Sequence, residues 1–412
     1  MRSLFHILFC VAALMLFPIA CQAQSRSNQA PTPSPIATKT LMTGAEVLLN
    51  GDYPIYDGLR CAVVGNHTSL VGNTHLVDTL LARGVNVKKI FCPEHGFRGT
   101  AEAGATVKNS TDTRTGLPII SLYGKNKKPS PEQLSGIDLV IFDLQDVGCR
   151  FYTYISTLHY VMEACAEQGI PCMVLDRPNP NGHYVDGPVL EPEWKSFVGM
   201  HPVPVVYGLT IGEYAQMING QQWLNDGIQC QLTVVPMQGY RRDSTYNLPV
   251  PPSPNLRNAH AIALYPSLCL FEGTNISVGR GTDTPFELIG IPIKYSNWTC
   301  SNTFFTFADQ KAAATQFTPK GGEQCFGITL KDIKNVPPKF DLTYLTTMYS
   351  ITKKDFFFLK NNFFDKLAGN GRLRHQIEQK LSEEEIRASW EPALSQYKEI
   401  RKKYLLYPDI EQ

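Results

Sequence analysis

Residues 61–97 read CAVVGNHTSLVGNTHLVDTLLARGVNVKKIFCPEHGF, and the fold class can be predicted from their pattern. Two short apolar runs, Cys61 to Gly65 and Val87 to Phe91, flank a stretch with helical apolar spacing from Thr74 to Arg83. Apolar runs without alternation are typical of strands that are buried on both faces. The stretch therefore predicts a strand–helix–strand unit of a parallel sheet.

The same alternation continues further along the chain. Leu139 to Phe142 and Met173 to Leu175 predict two more strands, and Tyr154 to Gln168 predicts a helix between them. Strands that alternate with helices form a parallel sheet covered on both sides, so the predicted fold class is α/β. Ligands of such sheets bind beyond the carboxyl ends of the strands. The polar residues at those ends are Asn66, His67, Glu94, His95, Asp143, Asp146, Asp176, Arg177 and Asn179.

Composition excludes several classes of protein. Of the 412 residues, 43% are hydrophobic and 18% charged, which excludes a disordered or multi-span membrane protein. The 38 Lys and Arg balance the 37 Asp and Glu, and this argues against nucleic acid as a partner because phosphate binding needs clustered basic side chains. Nine cysteines follow Cys21 without CxxC pairs, and several lie in apolar runs, so buried free thiols are favoured over disulfides.

The N-terminus predicts export. Arg2 precedes an apolar run that ends at Ala20, which is typical of a signal peptide over residues 1–21. Pro18 to Cys21 resembles a bacterial lipobox, in which Cys21 is lipidated; ordinary cleavage after Ala23 is the alternative. Residues 22–42 begin rich in Ser, Pro, Gln and Thr and predict a flexible tether. We expect a periplasmic protein, which a lipidated Cys21 would anchor to the outer membrane.

A proline-rich stretch from Leu248 to Asn255 marks the predicted boundary between a first domain, residues 43–250, and a second, residues 251–412. The second domain contributes a glycine-rich polar loop from Leu270 to Thr282, which carries the candidates Glu272, Asn275 and Arg280. After it, Thr284 to Glu287 has the pattern of a helix start, with Pro at the first helical position and a capping-box Glu.

Motifs of common chemistries are missing from the sequence. It contains no GxGxxG after the first strand, no P-loop, no GxSxG and no HExxH. Nucleotide, dinucleotide and serine-hydrolase chemistry therefore lose their main support, and no cofactor is predicted. A metal-assisted hydrolase would have to assemble its site from distant residues such as His67, His95 and Asp146.

Two stretches suit carbohydrate chemistry instead. Glu94 lies between Pro93 and the turn at Gly96, so the backbone would hold its carboxylate in a fixed direction. The run from Asp143 to Tyr154 combines carboxylates, an arginine and aromatic rings, which stack on sugars and bind their hydroxyls and carboxylates. Within it, Asp146, Arg150 and Tyr152 are interpreted as functional, whereas Asp143 fits a structural Asp–Arg pair.

A series of ordered motifs resembles the exo-β-N-acetylmuramidase family of the NamZ type, long known as a domain of unknown function. They are Pro93–Gly99, Asp112–Pro118, Ser121–Gly124, Phe142–Gly148, Arg150–Tyr154, Leu175–Pro180, Gly208–Glu213, Pro252–Asn255 and Gly279–Thr282. The likeness extends from about Gly44 to Tyr407. Two positions depart from the family pattern: Tyr207 stands where His is expected, and Lys380 where Gly is usual.

The resemblance implies a Rossmann-like domain, a smaller α+β C-terminal domain and an active site in the cleft between them. It implies exo-hydrolysis of the β-1,4 bond of a terminal, non-reducing N-acetylmuramic acid in peptidoglycan fragments. Glu94 would be the catalytic acid with His95 beside it, and the partner would be Asp146, Glu272 or the substrate's own acetamido group. The candidate substrate-binding residues are Asn66, His67, Arg98, Asp143, Arg150, Tyr152, Arg177, Asn179, Asn255, Asn275 and Arg280.

Three of these, Arg98, Arg150 and Arg280, are the candidate clamps for the lactyl carboxylate that distinguishes muramic acid. A periplasmic muropeptide-binding protein without catalytic activity remains the alternative, because a fold does not determine function. The sequence does not decide the oligomeric state.

Overall fold

The computed structural model describes residues 40–51, 58–94, 96–98, 109–244, 246–298, 304–307, 309–319 and 322–409. The predicted signal peptide with Cys21, most of the tether, and His95 lie outside this part of the chain. None of the described helices is long and apolar enough to cross a membrane.

A seven-stranded sheet forms the centre of the first half. Its strands run in the order β5-β6-β4-β1-β7-β8-β9, and all neighbours are parallel except β5, which is antiparallel to β6. The four strands expected from the sequence are all present, which confirms the α/β class. The strands are β1 Cys61–Gly65, β2 Leu70–Val71, β3 Thr74–His75, β4 Val87–Cys92, β5 Ser110–Thr111, β6 Pro118–Ser121, β7 Leu139–Asp143, β8 Cys172–Leu175 and β9 Leu232–Val235, of which β2 and β3 form a separate hairpin.

Helices cover both faces of this sheet. They are α1 Gly44–Leu49, α2 Leu76–Ala82, α3 Pro131–Leu134, α4 Tyr154–Glu167 and α5 Ile211–Gly220. Successive side chains of a strand point to opposite faces, and β1 shows why its sequence is apolar throughout. Cys61 and Val63 join the core formed with α1 and α2, whereas Ala62 and Val64 join the core formed with α4 and α5.

The second half contains a smaller antiparallel sheet with the strand order β10-β13-β12-β11. Its strands are β10 Leu288–Pro292, β11 Phe304–Phe307, β12 Gln310–Phe317 and β13 Cys325–Thr329. The helices are α6 Ala259–Leu268, α7 Thr343–Ile351, α8 Phe363–Ala368, α9 Arg372–Glu378, α10 Glu383–Ala388 and α11 Glu391–Arg401. Its side chains continue the core that lies beneath α4 and α5.

The helix start predicted at Thr284 is wrong, because the chain there enters strand β10. Phe286 has φ 61° and donates its N–H to the Val278 carbonyl at 2.7 Å, and its ring is buried. The Glu287 carboxylate lies 2.8 Å from His260 Nδ1 instead of capping a helix. The burial of the Phe286 ring and the contact of Glu287 with His260 outweigh the local preference for a helix start.

The thiol prediction holds for every cysteine after Cys21 that the structure describes. These eight are buried and free, and Cys300 lies outside the described residues.

Lys380, the second departure from the family pattern, has φ 59° after helix α9. The Lys380 N–H donates to the Ile377 carbonyl at 3.0 Å, and the Leu381 N–H donates to the Gln376 carbonyl, also at 3.0 Å. This pair of hydrogen bonds is a Schellman motif. Glycine suits this left-handed position, so the effect of Lys380 is local.

Candidate active site

A cavity of about 250 Å³ opens at the carboxyl ends of the parallel strands, between the two halves of the chain. Pockets for drug-sized ligands are usually ~300–1,000 Å³, so this one suits a single sugar. Five residues singled out in the sequence line it: Glu94, Tyr152, Asn255, Glu272 and Arg280. The other lining residues are Tyr123, Phe151, Thr153, Tyr154, Phe197, Val198, Ser253, Leu256, Tyr265, Phe286 and Phe363.

Glu94 reaches the cavity because Pro93 ends strand β4 and turns the chain towards the rim. The Tyr123 side chain, which follows β6, forms a hydrogen bond with it. Burial and then the negative charge of Glu94 raise the pKa of Tyr123 to about 12. The phenol therefore stays protonated at neutral pH and can donate to the carboxylate, which fixes the direction of Glu94.

Glu272 is the second carboxylate of the cavity, and it comes from the polar loop of the second half. Arg280 donates from Nε to Glu272 Oε1 at 2.6 Å, and its Nη2 contacts the same oxygen. The guanidinium also lies over the Phe286 ring, 5.4 Å from the centroid. The loop thus presents a paired cation and carboxylate to the cavity that Glu94 also lines.

Aromatic rings form the walls of the cavity. Tyr152 packs edge-to-face against Tyr154 with centroids 4.8 Å apart, and Tyr265 packs against Phe286 at 5.0 Å. Sequence reasoning missed Tyr265 as a wall residue, because it lies inside helix α6 and has no distinguishing pattern. Tyr123 could have been found, since it lies in the Ser121–Gly124 motif just after a strand.

Two side chains from the first half hold the proline-rich stretch that carries Asn255. His67 Nε2 lies 2.8 Å from the Pro251 carbonyl, and the Tyr152 hydroxyl donates to the Pro252 carbonyl at 2.8 Å. Burial lowers the pKa of His67, so its neutral ring donates from Nε2. His67 thus positions the stretch and is not itself among the residues that line the cavity.

Arg150 requires a correction, because the structure places it outside the cavity. Its guanidinium is completely buried and donates to four backbone carbonyls. Nη1 bonds Pro188 and Val203, both at 2.7 Å, and Nη2 bonds Leu367 at 2.9 Å and Ala368 at 2.8 Å. The last two carbonyls end helix α8, so Arg150 joins the two halves of the chain and is not available to bind a substrate carboxylate.

Arg98 and Arg177 are also held by carboxylates away from the cavity. Arg98 donates to Asp112 at 2.8 Å and to Asp78 at 3.2 Å, and it holds the pKa of Asp112 at about 2. Arg177 donates from Nη2 to Asp143 at 2.8 Å, and both side chains are buried. Asp143 is therefore structural, as the sequence favoured, with Arg177 as its partner, and neither residue lines the cavity.

The other predicted amide side chains also lie outside the lining. Asn66 donates to the Tyr154 hydroxyl at 2.7 Å, and it therefore acts on the cavity only through that wall residue. Asn179 donates to the Leu209 carbonyl at 2.8 Å. Asn275 is exposed and donates to the Phe356 carbonyl at 2.6 Å. These bonds stabilise loops around the site.

Asp146 is likewise corrected as a candidate catalytic partner. It is buried, does not line the cavity, and accepts hydrogen bonds from the Tyr207 hydroxyl and, at 2.6 Å, from the Gly148 N–H. Burial raises the pKa of Asp146 to about 7. Tyr207, the first departure from the family pattern, is buried with it, so its substitution changes packing below the site and not a cavity wall.

A metal site finds no support among the described side chains. In those ranges of the chain, no group of three or more His, Cys, Asp or Glu is close enough to hold a metal ion. His67 and Asp146, two of the three residues considered for such a site, are engaged by the Pro251 carbonyl and by Tyr207. The third, His95, lies outside the described residues.

The fold and the cavity define an α/β protein with two carboxylates facing a sugar-sized pocket, the arrangement on which most glycosidases depend. The chain belongs to the exo-β-N-acetylmuramidase NamZ family. The model of the family's N-terminal part matches residues 61–260, and that of its C-terminal part matches residues 263–407.

Individual relatives agree with this assignment. The peptidoglycan β-N-acetylmuramidase NamZ of Bacillus subtilis (strain 168) is 43% identical over 385 residues, which cover 89% of this chain and 91% of the relative. Two crystal structures of DUF1343 family proteins from Bacteroides fragilis NCTC 9343 are similar. The first is 42% identical in sequence with a TM-score of 0.78, and the match covers 90% of this chain and 99% of that structure. The second is 30% identical with a TM-score of 0.76, and the match covers 89% of this chain and 99% of that structure.

Proposed function

We propose that the protein is an exo-β-N-acetylmuramidase, which removes terminal, non-reducing N-acetylmuramic acid from peptidoglycan fragments. The observation that carries the proposal is the convergence of Glu94, Glu272 and Arg280 on one small cavity with aromatic walls. Carboxylates serve glycosidic bond cleavage, aromatic faces bind the sugar ring, and an arginine suits the lactyl carboxylate. The relatives' name and the family assignment agree with this chemistry.

Glu94 is the proposed acid, which protonates the oxygen that leaves with N-acetylglucosamine. Glu272 is the proposed partner, whose negative charge faces the oxocarbenium-like carbon of the transition state. Of the carboxylates considered as partner, Glu272 lines the cavity and Asp146 does not. Participation of the substrate's acetamido group is compatible with the same arrangement, because Glu272 would then orient that group.

Arg280 is the proposed clamp for the lactyl carboxylate. Of the three candidate arginines, Arg98 is held by two aspartates and Arg150 by four carbonyls, whereas Arg280 lines the cavity. The described contacts of Arg280 with Glu272 use Nε and Nη2, which leaves Nη1 for a substrate carboxylate.

The place of action is also part of the proposal. We propose an exported, periplasmic enzyme, supported by the apolar segment after Arg2 and the lipobox-like Pro18 to Cys21. Lipidation of Cys21 would tether the catalytic part to the outer membrane. Mass spectrometry of the protein purified from its host membranes, compared with a Cys21→Ala variant, distinguishes a lipidated from a soluble form.

The activity is tested with matched chromogenic glycosides of N-acetylmuramic acid and N-acetylglucosamine, which differ only in the lactyl group. We expect turnover of the muramic acid glycoside, unaffected by a chelator, and a preference for it that Arg280→Gln reduces. Binding without turnover would support the muropeptide-binding alternative. Turnover that the chelator abolishes would support metal-assisted hydrolysis.

A further inference from the structure

A second depression, an open groove of about 510 Å³, lies beside the catalytic cavity. Its lining includes Lys127, Tyr160, Lys195, Ser196, Phe197 and Trp223. Phe197 lines both the groove and the cavity. The groove therefore begins where the cavity opens.

Two stretches of chain run from the cavity into the groove. In the first, Tyr123 lines the cavity and Lys127, four residues later, lines the groove. In the second, Val198 lines the cavity and Lys195 lines the groove. Lys127 Nζ lies 4.4 Å from the centroid of the Phe197 ring, so the two stretches also contact each other at the junction.

Aromatic rings line part of the groove. Phe197 stacks on Tyr160 with centroids 6.3 Å apart, and Trp223 stacks on His201 at 4.6 Å. His201 Nε2 lies 2.9 Å from His159 Nδ1, and burial keeps the pKa of both rings below the usual range. Flat aromatic surfaces of this kind suit sugar rings.

The groove is lined by both acidic and basic side chains. Glu163 and Glu167 share Lys128, at 2.8 Å and 2.6 Å, and Glu163 also accepts the Asn225 N–H at 2.7 Å. Asp226 is exposed and accepts from Asn225 Nδ2 at 3.1 Å. Lys127 and Lys195 have no carboxylate partner among the described ion pairs, and the buried Ser196 Oγ has no hydrogen-bond partner among the described residues.

We propose that this groove binds the part of the substrate beyond the cleaved bond, and that Lys127 and Lys195 bind its carboxylates. The proposal rests on the exo-muramidase function: the terminal sugar fills the cavity, and the remaining saccharide extends from its mouth past Phe197, which lines both depressions. The ligand is a saccharide that bears carboxylates. These belong either to the lactyl group of the next muramic acid or to a stem peptide attached to it.

The test compares substrates that fill the cavity alone with substrates that reach the groove. The variant is Lys127→Gln with Lys195→Gln, and the matched control is Lys331→Gln with Lys334→Gln, two exposed lysines that line neither depression. The substrates are the chromogenic muramic acid glycoside, a peptide-free tetrasaccharide with two muramic acids, and the same tetrasaccharide with stem peptides. Each exposed ion pair contributes up to about fivefold in affinity.

We expect the groove variant to lose about tenfold in kcat/KM on a tetrasaccharide and to stay within about twofold of wild type on the chromogenic glycoside. The control should match wild type on all substrates. A loss on the peptide-free tetrasaccharide assigns the lysines to the lactyl carboxylate, and a loss only with peptides assigns them to the stem. Unchanged kcat/KM on both tetrasaccharides, or an equal loss on all three substrates, would overturn the proposal. Failure of wild type to cleave the glycoside would instead refute the function.

Discussion

Arg150 gives a sharp test of the difference between a binding and a structural arginine. Arg150→Lys keeps the charge, but one ammonium group does not reach carbonyls on both sides of the guanidinium, so at least two of the four hydrogen bonds are lost. A hydrogen bond from a charged donor contributes about 1.5 kcal/mol or more, so the free energy of unfolding should fall by roughly 3 kcal/mol. That is a large part of the ~5–15 kcal/mol that stabilises a typical domain.

The assay is urea unfolding followed by tryptophan fluorescence, together with KM for the muramic acid glycoside at a temperature where the variant is folded. Arg280→Lys is the matched control. Its ion pair is partly exposed, so the free energy of unfolding should change by no more than about 1 kcal/mol, while KM rises. Wild-type stability combined with a raised KM in Arg150→Lys would refute the structural role and restore Arg150 as a clamp.

Three further changes test single features of the structure. Burial raises the pKa of Asp146 to about 7, so the folded state binds the proton more tightly, and the contribution of Asp146 to the free energy of unfolding falls from about pH 4 to 7, by up to ~1.4 kcal/mol per pH unit. Because Asp176 has the same raised pKa, the quantity to compare is the free energy of unfolding of Asp146→Asn minus that of wild type, which should rise between pH 5 and 7; a difference independent of pH would contradict this. Lys380→Gly removes a left-handed lysine and should raise the free energy of unfolding by about 0.5–1 kcal/mol; a decrease would speak against strain there. Tyr152→Phe removes the hydrogen bond to the Pro252 carbonyl, so the free energy of unfolding should fall by about 1 kcal/mol and kcat/KM should also fall. Wild-type values of both quantities would contradict an anchoring role for Tyr152.

The fold was predictable because its signal is local. The strands of residues 61–65 and 139–143 are buried on both faces. Their continuous apolar sequence predicts this burial without reference to the rest of the chain. The helix start at Thr284 failed because a distant partner, His260, binds Glu287. Contacts of that kind depend on the tertiary structure, and a capping pattern cannot reveal them.

The site was predictable only as a set of residue types. Glu94, Glu272 and Arg280 were singled out and do converge on the cavity. Arg150 has the same chemistry as Arg280 and also lies in a family-like motif, yet it is completely buried. What separates the two is whether backbone carbonyls or open space surround the guanidinium, and this is a property of packing that the sequence does not display.

The role of Glu94 as the acid is tested by Glu94→Gln on two substrates with different leaving groups. N-acetylglucosamine leaves poorly and needs a proton, whereas nitrophenol leaves readily without one. We predict that kcat for the natural disaccharide falls by about 10²–10⁴-fold while the nitrophenyl glycoside loses far less, with the free energy of unfolding unchanged. Full activity of Glu94→Gln on the disaccharide would show that Glu94 is not the acid.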